Sequence, residues 1–320
     1  MKLLLLVKII NENYYKHKLI LTYAARRGEK MKKYLLMALA IVLFTQCSKK
    51  EEPPIGPTPS GTDGNYFGTP DGSFWIYTND SISMDGTVHR LDKNDTLKQV
   101  GNTTYLGISG KLMNHHFVNV FEGGNANTTE YAMIEDGSKL YVSKGFLSMF
   151  IPTFLVEIFE VLDTIKLADG NATTWYLAEI DAPDLMELLG MPSSFVVATI
   201  PVAIKDISGK FKIGFTRGAN VMKNGYNTNS FTMKVAIEGE VLVDALNLVD
   251  FPLEYRTVFS EIDFYLAEGK GLIEVEAKPM EIKTVITLPP PMNAFVSTYE
   301  VPSPMNIIGL KKTLIQSGIE

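Results

Sequence analysis

Cysteine occurs once in the 320 residues, at Cys47, so no disulfide can form within the chain. Positive charge is not in excess: 30 Lys and Arg stand against 36 Asp and Glu, a net charge of −6. With neither a basic patch nor an Arg/Lys stripe, nucleic acid and anionic headgroups are not expected partners. The apolar run from Leu35 to Phe44 is too short to anchor the chain by crossing a bilayer. Histidine is scarce. His115 and His116 are neighbours on an expected strand, where successive side chains point to opposite faces, and His89 is isolated, so no shared metal site is expected. Gly107-Ile108-Ser109-Gly110 lacks the spacing of a nucleophile elbow. Gly269-Lys270-Gly271 lacks the strand-to-helix setting of a phosphate loop. The reading is therefore no catalytic residues, no metal and no cofactor.

What is present begins at Met31-Lys32-Lys33-Tyr34, a short basic leader, followed by the apolar run and then Thr45-Gln46-Cys47. After Cys47 the sequence turns abruptly charged and proline-rich, as an export signal does and a stop-transfer helix does not. The lone cysteine behind such a run resembles the lipobox of bacterial lipoproteins. That resemblance implies lipidation of Cys47, loss of residues 31–46 as a signal peptide, and a membrane as partner through N-terminal acyl chains. Residues 1–30 are then expected to lie upstream of the true start at Met31; the purine-rich codons available to Arg26-Arg27-Gly28-Glu29-Lys30 fit a translated ribosome-binding site. A long genuine leader is the alternative. Residues 47–65, with Pro53, Pro54, Pro57 and Pro59 among glycines, read as the lipidated cysteine and a flexible tether.

Ser48-Lys49-Lys50-Glu51-Glu52 resembles the charged signals that carry lipoproteins of the Bacteroidetes to the outer face of the outer membrane, although a solvated tether carries such runs too. The expected location is the cell envelope, as an outer-membrane lipoprotein, with the periplasmic and external faces both open. Asp80-Ser81-Ile82, Asp95-Thr96-Leu97 and Asp163-Thr164-Ile165 match a short O-glycosylation pattern of the same group.

Residues 66–291 alternate as half-buried strands do. Tyr131 to Ile134 and Lys139 to Val142 flank Glu135-Asp136-Gly137-Ser138, an expected hairpin because Asp-Gly supplies the positive φ of tight turns. Phe231, Met233, Val235 and Ile237 alternate with polar residues. Phe264 and Leu266 lead into Glu268-Gly269-Lys270-Gly271, beyond which Ile273, Val275 and Ala277 oppose Glu274 and Glu276 on an expected wet face. The fold class is mainly β: an antiparallel meander forming a curved sheet, half-barrel or sandwich, with one or two helices on one face or end. Glu254, Glu261 and Asp263 fall on the wet face, where solvation is expected over paired acid and base work.

A helical insertion is expected near 150–190. Phe146 to Lys166 offers an apolar face of Phe154, Leu155, Ile158, Phe159, Leu162 and Ile165, and a shorter helix fits Pro183 to Leu189. Phe195 to Ile204 runs apolar on both strand faces. This block either caps the sheet or lines a cavity for an apolar ligand, with Phe154, Leu155, Ile158, Phe159 and Leu162 as the lining. Residues 292–320 form a C-terminal segment whose packing the sequence leaves open.

Gly72-Ser73-Phe74-Trp75-Ile76-Tyr77 resembles the "G-x-x-W-x-Y" opening of a class of Bacteroidetes lipoproteins. Tyr265-Leu266-Ala267-Glu268-Gly269-Lys270-Gly271-Leu272-Ile273 resembles their terminal hairpin. Together these span Phe67 to Lys278, and they imply an exported antiparallel β domain with no catalytic residues to transfer. Two functions follow as expectations: a non-catalytic, membrane-anchored envelope or cell-surface module that binds or interacts with an unknown partner, or a carrier of lipid or another apolar ligand under the 150–166 helix.

Overall fold

The computed structural model describes residues 66–67, 70–105, 107–152, 155, 162–181, 189, 191–197, 200–245, 249–288 and 297–319. Among them the first half forms β1 (Ser73–Ile82), β2 (Val88–Arg90), β3 (Asp95–Tyr105), β4 (Ile108–Asn119), β5 (Asn125–Asp136), β6 (Lys139–Ser143) and β7 (Thr164–Asp169). The second half forms β8 (Thr174–Asp181), β9 (Ser194–Val197), β10 (Ile200–Arg217), β11 (Val221–Lys223), β12 (Tyr226–Ala245) and β13 (Val249–Ala267). It continues with β14 (Gly271–Ala277), β15 (Met280–Thr287), β16 (Thr298–Ile307) and β17 (Gly309–Ile319).

Antiparallel ladders run β7-β6-β5-β4-β3-β1 and continue β1-β17-β14-β13-β12-β10-β8. The first strand thus lies beside the last, and the sheet curls into a nearly closed barrel. Across the seam between β7 and β8, the Trp175 indole Nε1 donates to the Lys166 carbonyl at 2.8 Å, and the Lys166 ammonium lies 5.3 Å from the Trp175 ring. β13 is long enough to serve two neighbours: Ile262 to Ala267 pair with β14, and Tyr255 to Thr257 with β15.

Period-two alternation decides which side chains enter the barrel. Phe231, Met233, Val235 and Ile237 are all fully buried. Trp175 stacks flat on Phe215, centroids 5.5 Å apart, while Phe146 packs against Tyr131, Phe150 and Phe264. The outward faces of β8, β10, β12 and β13 carry charge instead. Glu179 pairs with Lys210 and Lys212 at 3.7 and 3.8 Å. Glu238 pairs with Lys212 at 3.0 Å and Arg256 at 3.1 Å, and Lys234 with Glu261 at 2.7 Å. A barrel face meant for lipid would be apolar there, with the polar groups inside.

Several expectations change. Among the described residues the helical elements are two 3-10 turns, Val120–Glu122 and Lys144–Met149, and Leu155 and Leu189 have α-helical backbone. Phe146 belongs to the second of these turns, and Ile165 and Lys166 to β7, where Ile165 and Leu167 point inward and the strand pairs with β6. The expected helix therefore cannot span Phe146 to Lys166; β-branched Thr164 and Ile165 favour the extended backbone that the β6 edge completes. The remaining stretches of both expected helices, 153–154, 156–161 and 182–188, lie outside the described residues. The Phe195 to Ile204 run is not one strand covered on both sides. It folds back on itself as β9 and β10, with Val197 opposite Ile200, and leaves Val196 exposed. Glu274, expected on a wet face, is buried beneath Lys223 and Lys311, which pair with it at 2.6 and 3.2 Å, because the β11–β12 hairpin folds over β14. The C-terminal segment supplies β16 and β17 and so takes part in the barrel.

Candidate functional site

Five neighbouring strands point buried polar residues into one end of the barrel. β1 presents Trp75, Tyr77 and Asn79 in succession, β17 Leu310, Lys312 and Leu314, β3 Asp95 and Leu97, β4 Met113, His115 and Phe117, and β5 Tyr131 and Met133; all are buried. Asn79 and Asp95 are 0% exposed, Lys312 2% and His115 3%.

The bonding within this cluster is dense. Lys312 Nζ donates to Asp95 Oδ2 at 2.6 Å, to Asn79 Oδ1 at 2.8 Å and to the Val118 carbonyl at 3.2 Å. Asp95 Oδ1 accepts from Asn79 Nδ2 at 2.6 Å and from the Val118 amide at 2.8 Å. Asn79 Nδ2 also donates to the Lys93 carbonyl at 3.0 Å. Two acceptors hold Nδ2 and one donor holds Oδ1, so the amide fits only one way round. His115 Nε2 stands 3.6 Å from Asp95 Oδ2, beyond hydrogen-bond range, and acts on it through space.

Burial pushes the Asp95 carboxyl up, but His115 and Lys312 outweigh it and hold the group down at about 2. Burial depresses the Lys312 ammonium against the opposing pull of Asp95. His115 is likewise lowered by burial, with Asp95 opposing. Tyr77 and Tyr131 are raised by burial. Removing a charge from such a pair strands its partner in a medium that solvates it poorly.

Beside the cluster lies an enclosed cavity of about 10 Å³ bordered by Tyr77, Leu97, His115, Tyr131, Met133 and Lys312. The hydroxyls of Tyr77 and Tyr131 and both ring nitrogens of His115 have no hydrogen-bond partner among the described residues. A space that size suits about one water, and the cluster can exchange protons internally without access for an outside substrate. On the outer surface, Tyr176 is 77% exposed and packs against Gly214. It borders an open groove of about 230 Å³ with Lys212, Lys234, Glu238 and Arg256.

Of the candidate apolar lining, Leu155 is fully buried and Leu162 half-buried against the core; Phe154, Ile158, Phe159 and the lipidation candidate Cys47 lie outside the described residues. His115 and His116 do face opposite ways, the first into the barrel and the second to solvent beside Thr128. The three short glycosylation patterns lie in or at the start of strands, and Asp80, Asp95, Leu97 and Ile165 within them are buried. Sequence reading missed the cluster, though a signal existed. Lys312 alternates with Leu310 and Leu314, Asn79 with Tyr77, and Asp95 with Leu97, which places each polar residue on a dry face.

The fold and this site define a mainly antiparallel, nearly closed β barrel with a polar cluster inside one end. No family model matches the chain, and no curated protein does. Two solved structures are similar in part: a candidate lipoprotein from Parabacteroides distasonis, 8% identical over 80% of this chain and 100% of the other, with a TM-score of 0.34, and a candidate exported protein with a YmcC-like fold from Bacteroides fragilis, 10% identical over 80% and 99%, with a TM-score of 0.32.

Proposed function

We propose that this chain is a non-catalytic lipoprotein of the cell envelope, held on the outer membrane by acyl chains at Cys47, whose β domain binds a protein through its outer faces. The observation that carries this reading is how the interior is filled among the described residues. The enclosed cavity described above measures about 10 Å³, whereas small-molecule sites usually need roughly 300 Å³ or more. The rings of Phe67, Phe146 and Phe150 border that cavity. The outer faces support the same reading, since an exposed tyrosine flanked by charges of both signs suits a protein surface.

The test is native mass spectrometry of the full chain released from membranes in mild detergent, beside metabolic labelling with a clickable fatty acid. The expected mass holds the acyl chains at Cys47 and no further lipid, and Cys47→Ser abolishes the label. A stoichiometric second lipid, lost when Ile158 or Phe154 is replaced by a charged residue, would overturn the binding-module reading and establish the carrier instead. Label persisting in Cys47→Ser would overturn the anchor.

A further inference from the structure

We propose that Lys312 and Asn79 are joined in the mature protein by an intramolecular isopeptide bond, formed by the chain itself with Asp95 as proton carrier. The two residues are directly opposite partners on the adjacent strands β17 and β1, so the bond would staple the last strand to the first across 233 residues of sequence. This goes beyond the envelope-module reading and does not depend on it, since it is one self-directed event and not turnover of a substrate.

Three observations place the reaction here. The amine sits beside its electrophile: Lys312 Nζ lies 2.8 Å from Asn79 Oδ1, one bond from the carbonyl carbon that it must approach to about 3–3.5 Å for attack. The carboxylate touches both nitrogens that must exchange protons, with Oδ2 at 2.6 Å from Lys312 Nζ and Oδ1 at 2.6 Å from Asn79 Nδ2. Finally, the site is dry. Asn79, Asp95 and Lys312 are each at most 2% exposed and lie near Tyr77, His115 and Tyr131. Burial depresses the Lys312 ammonium, and its proton must pass to Asp95 against the pull of Lys312 and His115 on that carboxylate before the neutral amine can act as nucleophile.

The step balances without an outside reagent. Asp95 takes one proton from Lys312 Nζ, and the free amine attacks Asn79 Cγ, forming the Nζ–Cγ bond and a tetrahedral intermediate. The Cγ–Nδ2 bond then breaks. Asp95 delivers the first proton to Nδ2 and relays a second from Nζ, so that ammonium departs and Asp95 returns to carboxylate. One hydrogen stays on the new amide nitrogen, and no oxidant or reductant is consumed. Cross-links that close long loops restrict the unfolded chain most, which suits a barrel whose terminal strands meet and whose domain hangs from a membrane.

Peptide mass spectrometry of the full chain purified from membranes tests this. The expected result is a branched peptide joining the Asn79 and Lys312 segments, lighter than the two separate peptides by one ammonia, with cleavage after Lys312 blocked. Recovery of both peptides unlinked and in full yield from the folded wild-type protein would overturn the proposal, whatever the variants do. Asp95→Asn should leave the bond unformed, and Lys312→Arg should remove it entirely. If Asp95→Asn folds and cross-links completely, Asp95 is not the proton carrier. Were Asp95→Asn not to fold, the proton role is read from wild-type chain recovered unlinked from inclusion bodies and refolded at graded pH, where the rate must fall as Asp95 and Lys312 lose their shared proton at high pH. A rate still rising with pH would overturn the role.

Discussion

Trp75 Nε1 donates to the Lys270 carbonyl at 2.8 Å, joining β1 to the β13–β14 turn across 195 residues of sequence. The neighbouring Gly271 amide donates to the Tyr66 carbonyl at 2.8 Å, and Phe67 meets Trp75 edge-on with centroids 5.4 Å apart. These contacts form a single latch between the entry to β1 and the β13–β14 turn.

Gly271 has φ 79°, and a Cβ there would come within 2.3 Å of the Phe67 ring. Gly271→Ala should therefore cost on the order of 2–4 kcal/mol, from left-handed strain together with overpacking. Urea denaturation measures it, and a midpoint within error of wild type would refute the latch.

Trp75→Phe keeps much of the aromatic packing but deletes the donor to Lys270. Leaving that carbonyl unpaired, with a smaller ring in the core, should cost about 2–4 kcal/mol. The same denaturation curve reads it, and Trp75→Phe combined with Gly271→Ala should be less than additive because both act on one latch.

Two lysines separate buried from surface electrostatics. Measured against the unlinked wild-type chain, Lys312→Ala strands Asp95 in the interior and should cost at least about 3 kcal/mol, whereas Lys212→Ala breaks solvent-facing pairs and should cost under about 1 kcal/mol. Thermal unfolding of the two variants side by side tests the ordering; equal losses would mean that the interior pair contributes no more than a surface one.

Acid should unfold the protein in two stages. His115 is depressed below its ordinary value, so the unfolded chain binds its proton first and stability falls as pH drops below about 6.5. Asp95, held at about 2, contributes stability that is present above its unfolded value of about 3.9 and is lost as pH falls through that window. Midpoints measured from neutral pH downward should show both stages, and His115→Phe should flatten the upper one and, because His115 helps hold the Asp95 carboxyl low, shrink the lower one as well. An unchanged slope in that variant would mean that another group is responsible.

Much of the architecture was legible because strand periodicity is local. Asp136-Gly137 gave away the β5–β6 hairpin, and Gly137 indeed takes a positive φ of 58°. Phe231 to Ile237 declared a buried face through alternation alone. Phe146 to Lys166 misled because an apolar run with three acidic residues fits a helix face and a two-sided strand equally well, and only the free edge of β6 decides that Thr164 onward extends.

By itself, the sequence determined the antiparallel character of the sheet, hairpins such as β5–β6 and the inward side of strands such as β12, since these depend on neighbours two residues away. Tertiary structure alone decided that β17 lies between β1 and β14, and hence that Asn79, Asp95, His115 and Lys312 meet. No spacing rule links residues so far apart in the chain. Their meeting follows from closure of the sheet, which brings the first strand against the last and buries a charge pair that neither strand could hold alone.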